Sequence, residues 1–413
     1  MSRLTHLAIL AGCCACLWAG IALAESGRIY GKLTTTDDDV FEGWIRWDKN
    51  EAFWDDIIDG VVEKDRYEGR EKRGRHYKES KKKYVEVLGL TFGEGMSWGG
   101  LGTSSESQLQ FGHVSRLKRD GDGATVILKN GNEVIFESSS DLGPAIREIA
   151  LLDINEGEIY FDWDDIESID FIEEKSEPTD GLERLYGRVS TRRAGEFIGW
   201  IEWDVDEVFN KDDLDGDEDG GRTRKITFGR IAAIERNSSS SARITTKDGK
   251  ELVLRNSNDV NSENRGIVVK SAEFGRVKIG WSDFEKVEFL PVPKNELPRY
   301  RDFDGGRKIR GVVTTEDGED FTGELAWDND EQYTWEHLNG EYKGVEMAIP
   351  FAVIMTIAKS SQRTAEVTLK NGTTYLLSGS NDVNEENKGV IVFRDKGDAE
   401  EIDWYDFAKA AMK

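Results

Sequence analysis

The chain has 413 residues, a formal net charge of −26, 33% charged and 38% hydrophobic residues. Charge of that sign excludes nucleic acid and anionic membrane surfaces as preferred partners, because both repel it. Aromatic residues at 10%, among them 12 Trp, exclude a disordered chain, and the length accommodates two to four domains.

The N-terminus reads as an export signal over residues 1–24. Arg3 supplies the positive start, Leu7 to Leu23 is apolar, and Ala22-Leu23-Ala24 is a small-x-small cleavage site. The competing reading is a lipoprotein anchored at Cys13, from the Leu10-Ala11-Gly12-Cys13 box. All three cysteines (Cys13, Cys14, Cys16) lie in this stretch, so the processed chain carries no disulfide or thiolate chemistry. No later stretch is apolar for the ~18 residues that a membrane helix needs. The expected location is periplasmic or extracellular.

One block then occurs three times without a gap. Gly31, Thr35, Phe41, Gly43, Trp47, Asp48, Glu51 and Gly60 recur as Gly187, Thr191, Phe197, Gly199, Trp203, Asp204, Glu207 and Gly216, and again from Gly311 to Gly340. Self-similarity of this kind marks a repeat architecture. A second block follows each copy, built on a turn at Lys129-Asn130-Gly131, Lys247-Asp248-Gly249 and Lys370-Asn371-Gly372. Asn-Gly and Asp-Gly between alternating apolar residues predict β-hairpins. The spacing divides the chain into repeats at 25–175, 182–290 and 307–413, with a Pro-containing linker at 291–306. The only predicted helix is Gly143 to Leu152, with Pro144 in its first turn.

The two blocks have the same plan: strand, glycine-bearing turn, strand, then a short strand, a tight turn and a closing strand. The bent pair in GRVSTRRAGEFIGWIEWD, with its closing strand near IAAIE, resembles the small barrels of the SH3-like and Sm-like proteins. That resemblance implies an all-β fold of three tandem repeats, each of two five-stranded half-units. A six-bladed β-propeller is the alternative, since six units also close a ring. It does not imply RNA binding, which the negative charge contradicts.

The first repeat differs from the others. Gly60 to Phe111 spans 51 residues, where the equivalent spans are 12 and 11, so residues 61–110 hold an insertion. Lys64, Arg66, Arg70, Lys72, Arg73, Arg75, Lys78, Lys81, Lys82 and Lys83 concentrate basic charge there, and Trp98 follows in a glycine-rich run. A loop freed from folding duty commonly binds, so this stretch is the candidate contact for a protein or an anionic polysaccharide partner.

Asp215, Asp217 and Asp219, followed by Gly220, match the first half of an EF-hand loop and make calcium the candidate cofactor. The twelfth position is Ile226 rather than an acid, so a solvated acidic loop fits the same residues. Trp203 alternates with Ile201 and is expected in the core. Trp44 and Trp200, on the opposite side of their strands, are the candidates for an exposed aromatic surface. His76, His113 and His337 do not recur between repeats and give no catalytic or cofactor-binding motif. The sequence thus predicts an exported, non-catalytic binding or scaffolding protein. The alternative is a secreted carbohydrate-active enzyme that uses acidic residues.

Overall fold

The computed structural model describes residues 26–63, 84–87, 90–93, 104–174, 178–293, 296–394 and 398–413. Residues 1–24 and the basic positions from Lys64 to Lys83, with Trp98, lie outside them. The described chain is all-β and antiparallel, with short 3-10 turns and no α-helix. No described helix is long and apolar enough to cross a membrane.

Each of the three segments contains ten strands, leaving aside a small hairpin of Tyr84–Val87 with Leu90–Gly93 in the first. Numbered along each segment, they lie side by side in one order, 9-8-2-1-10-5-6-7-3-4. In the second segment the first two strands are Tyr186–Thr191 and Glu196–Glu202. The first pairs with the tenth, Phe284–Phe289, and the second with the eighth, Ile267–Ser271. The third strand, Asp213–Asp217, pairs with the fourth, Thr223–Thr227, and with the seventh, Glu251–Arg255. The equivalent ladders in the other two segments have the same partners.

Two sequence expectations are corrected here. The half-units are not separate modules: strand one pairs with ten and two with eight, and strand six pairs with five and seven with three. Each five-stranded set therefore draws on both halves of its segment. None of the sheets closes into a barrel, and the continuous ten-strand order is unlike separate propeller blades. The ninth strand of the second segment, Gly275–Ile279, instead pairs with the fourth of the third, Val345–Pro350, and carries the sheet across the segment boundary.

The recurring glycines are explained by a close approach. Gly31 faces Gly43 across the first hairpin, as Gly187 faces Gly199 and Gly311 faces Gly323. A Cβ on Gly199 would lie 2.2 Å from the Lys270 carbonyl oxygen, and one on Gly323 2.2 Å from that of Phe393. A side chain there would push apart strands that must pair. The turn glycines Gly131, Gly249 and Gly372 have φ near +85° with open space around them, so backbone conformation alone selects glycine.

Trp47, Trp203 and Trp327 are fully buried. Each indole N–H donates to a main-chain carbonyl, of Asp141, Asp259 and Asp382, at 2.7–3.0 Å. Trp44 and Trp200 are also buried, so the expected exposed aromatic surface is not formed by them. The Trp44 indole N–H donates to Glu174, which anchors the start of the described chain by accepting from Ser26. The predicted helix is absent as well. Gly143 is left-handed, and Ile149–Asp153 pairs as a strand with Val40–Trp47, because its apolar residues complete that sheet.

Candidate functional site

The three segments meet through chemically distinct contacts. The first and second join reciprocally: Phe53 and Phe209, equivalent residues, lie 5.6 Å apart between ring centroids. The Arg184 guanidinium sits 4.3 Å over Phe53, and that of Arg28 5.6 Å over Phe209. Arg184 also pairs with Asp55 at 2.7 Å. Beside it the buried Lys270 ammonium lies 2.9 Å from Asp56 and pairs with Glu202. Burial opposes both charges, yet each sustains the other: Lys270 and Arg184 pull the Asp56 carboxyl down, and Asp56 and Glu202 hold the Lys270 pKa up.

The third segment reaches the first differently. Its Tyr333 and Trp335 enter the first segment's core, and Asn132 donates to the Tyr333 hydroxyl at 3.1 Å. The Pro-containing stretch, expected as a linker, docks against the first segment. Tyr300 packs 4.5 Å from Trp54 between ring centroids and donates its hydroxyl to the Val114 and Phe171 carbonyls. Asn130 donates to the carbonyls of Gly305 and Gly306.

These contacts leave a cavity of about 420 Å³ between the segments. The first segment contributes Asp55, Ile57, Gln110 and His113. The second contributes Trp200, Lys270 and Arg276, and the third Trp335, His337 and Pro350. The docked stretch adds Leu297, Pro298 and Phe303. A mostly apolar concavity with a few converging polar groups is the usual form of a ligand site. Three polar atoms of these residues, His113 Nδ1, His337 Nδ1 and Trp335 Nε1, are buried without a hydrogen-bond partner among the described residues. Burial depresses both imidazoles to about 4. Asp304 partly opposes this at His113, and the Arg276 charge reinforces it at His337. Both rings are therefore neutral at pH 7.

Sequence reasoning set His113 and His337 aside because they do not recur. The available signal was that failure to recur. Position 113 is Arg230 and Val353 in the other segments, and position 337 is Ile57 and Asp213. Residues that maintain the shared fold repeat, whereas most of those lining the junction do not, Trp200 with its equivalent Trp44 being an exception.

The acidic residues fall elsewhere. Asp215 and Asp217 lie in strand Asp213–Asp217 rather than in a loop. Asp215 accepts from Ser257, Asp217 accepts from Thr223 and Asn256, and Asp219 pairs with Arg255 at 2.8 Å. A calcium ion there would have to displace those partners. Among the described residues, one group of three carboxyls has oxygens that all lie within 4.8 Å of one another, that of Asp204, Glu207 and Asp259. This group recurs in sequence as Asp48, Glu51, Asp141 and as Asp328, Glu331, Asp382. Its aspartates serve the fold. Asp259 accepts from the Asp215 N–H at 2.8 Å, and Asp204 accepts from the Arg265 N–H at 2.5 Å. Burial, with neighbouring acids, pushes Glu51 up to about 10 and Glu207 to about 9.

No protein-family model matches this chain, and no curated protein matches it in sequence.

Proposed function

We propose that this chain is an exported, non-catalytic binding protein whose ligand site is the junction cavity. The observation that carries the reading is that the cavity is walled largely by residues that depart from the internal repeat, such as His113, Lys270, Arg276, Trp335 and His337, while the repeated residues account for the fold. Three tandem repeats with SH3-type strand order would then form a frame. Supporting this, strands one, two, eight and nine lie side by side in chain order, and strand ten returns beside strand one after a tight turn. The export signal at residues 1–24 supports a periplasmic or extracellular setting. The basic insertion within 61–110 is a second contact, for an acidic protein or polysaccharide.

The enzymatic alternative is less well supported. A glycosidase needs a carboxyl of raised pKa facing its substrate. Here the strongly raised carboxyls, Glu51, Glu207 and Glu331, lie within the three folds and not on the cavity wall.

Ala352 is exposed and lines the cavity, so Ala352→Trp blocks it without disturbing the core. A thermal-shift screen of small organic molecules on the full chain should find compounds that raise the melting temperature of the parent but not of Ala352→Trp. Compounds that stabilise both proteins equally would place binding elsewhere, and turnover of a glycan panel would restore the enzymatic reading.

A further inference from the structure

We infer that the junction cavity takes a small organic anion, its acidic head held by Arg276 and its apolar body packed against Trp200, Phe303 and Pro350. This rests on the reading of the cavity as the ligand site and adds the class of ligand.

Arg276 stands apart from the other charged groups around the cavity. Asp55 is paired with Arg184, Lys270 with Asp56 and Glu202, Asp302 with Arg299, and Asp304 with Arg307. Glu296 is exposed. The Arg276 side chain is half-buried and makes no ion pair or hydrogen bond with another described residue. A guanidinium stays charged at any physiological pH, so withdrawing it from water without a partner carries a desolvation cost. Its strand position does not require that charge: the equivalent residues are Glu158 and Ala399.

The surrounding groups favour the same ligand. The Trp335 indole N–H can only donate, and it is buried without an acceptor among the described residues. The neutral His337 imidazole lies close enough for Arg276 to depress it, and it too has a nitrogen without a partner. A carboxylate, sulfate or phosphate head offers acceptors to such a set, and the fork of Arg276 matches a planar carboxylate in particular. The apolar walls give the remainder of the ligand a dry surface. A bare inorganic anion leaves that surface uncovered.

The test is calorimetric titration of the full chain at low salt with phenylacetate and its uncharged analogue phenylacetamide. Phenylacetate should bind the parent more tightly than the amide. Arg276→Gln should weaken phenylacetate about tenfold or more and leave the amide unchanged, and Arg276→Lys should fall between. Equal affinity for acid and amide, an Arg276→Gln variant that binds phenylacetate like the parent, or no binding of either probe at millimolar concentration overturns the inference. Ala352→Trp separates the two claims. If it blocks an amide that binds as well as the acid, the cavity is the site and the anion class is wrong. If phenylacetate binds Ala352→Trp undiminished, the cavity is not the site.

Discussion

Lys270→Ala should destabilise the folded protein by about 3–5 kcal/mol, the usual cost of removing one partner from a buried ion pair. The substitution strands the buried Glu202 and leaves the buried Asp56, across the contact between the first and second segments, with its 3.3 Å pair to Arg184. Restoring volume with Lys270→Met should help little, because the uncompensated charge remains. The double replacement Lys270→Met, Glu202→Gln, which leaves Asp56 on Arg184, should recover most of the loss, because desolvated charge and not shape is the cause. Calorimetric melting at pH 7 reads the series. For contrast, Lys250→Ala, which breaks the exposed pair with Asp248, should leave the melting temperature where it was. Equal effects at the two sites would contradict the assignment of Lys270 as the tie between segments.

Stability should fall as pH rises from about 5.5 to 9, lowering the melting temperature by about 10 °C. Burial raises Glu51 to about 10, Glu207 to about 9, Asp382 to about 8, and Asp259 and Asp328 to about 7. Each such carboxyl holds its proton more tightly in the folded state than in the unfolded chain. Its stabilising contribution is complete below the unfolded value near 4 and is lost as pH rises through the folded one. His113 and His337 act in the opposite sense. Lowered to about 4, they contribute stability above pH 6.5 that is lost as pH falls towards 4. The carboxyls outnumber them, so the alkaline decline dominates. Glu51→Gln and Glu207→Gln, neutral at every pH, should flatten it. A melting temperature that is constant or rising up to pH 9, or a decline that survives both substitutions, would contradict the buried-acid account.

Much of the frame was legible in the sequence. The glycine pairs, the Asn-Gly and Asp-Gly turns and the Ile201–Trp203 alternation state local rules, and local rules survive any tertiary arrangement. The strand partners were not legible. Nothing in the spacing of Gly187 to Gly216 says that Glu196–Glu202 will pair with Ile267–Ser271, because both choices satisfy the same period-two pattern. The helix expected after Gly143 failed for a related reason: Ile149, Ala150 and Leu151 suit either element, and the open edge of Val40–Trp47 selects the strand. Trp44 and Trp200 were expected at the surface from strand alternation, which knows nothing of what covers the second face. The acidic match at Asp215 to Asp219 counted alternate oxygens without the strand that gives each a different partner. The junction was the least legible part, since Arg276, His113, His337 and Trp335 come from three segments and share no motif.

The most direct test of the junction as a binding site is to watch its two imidazoles. The chain has four histidines, and His76, His113 and His337 follow residue 24. Nitrogen-15 imidazole spectra of the protein from residue 25 onward should show two rings that stay neutral down to about pH 4. Titration with phenylacetate should shift those two resonances. A titration that binds phenylacetate yet moves neither His113 nor His337 would contradict the account.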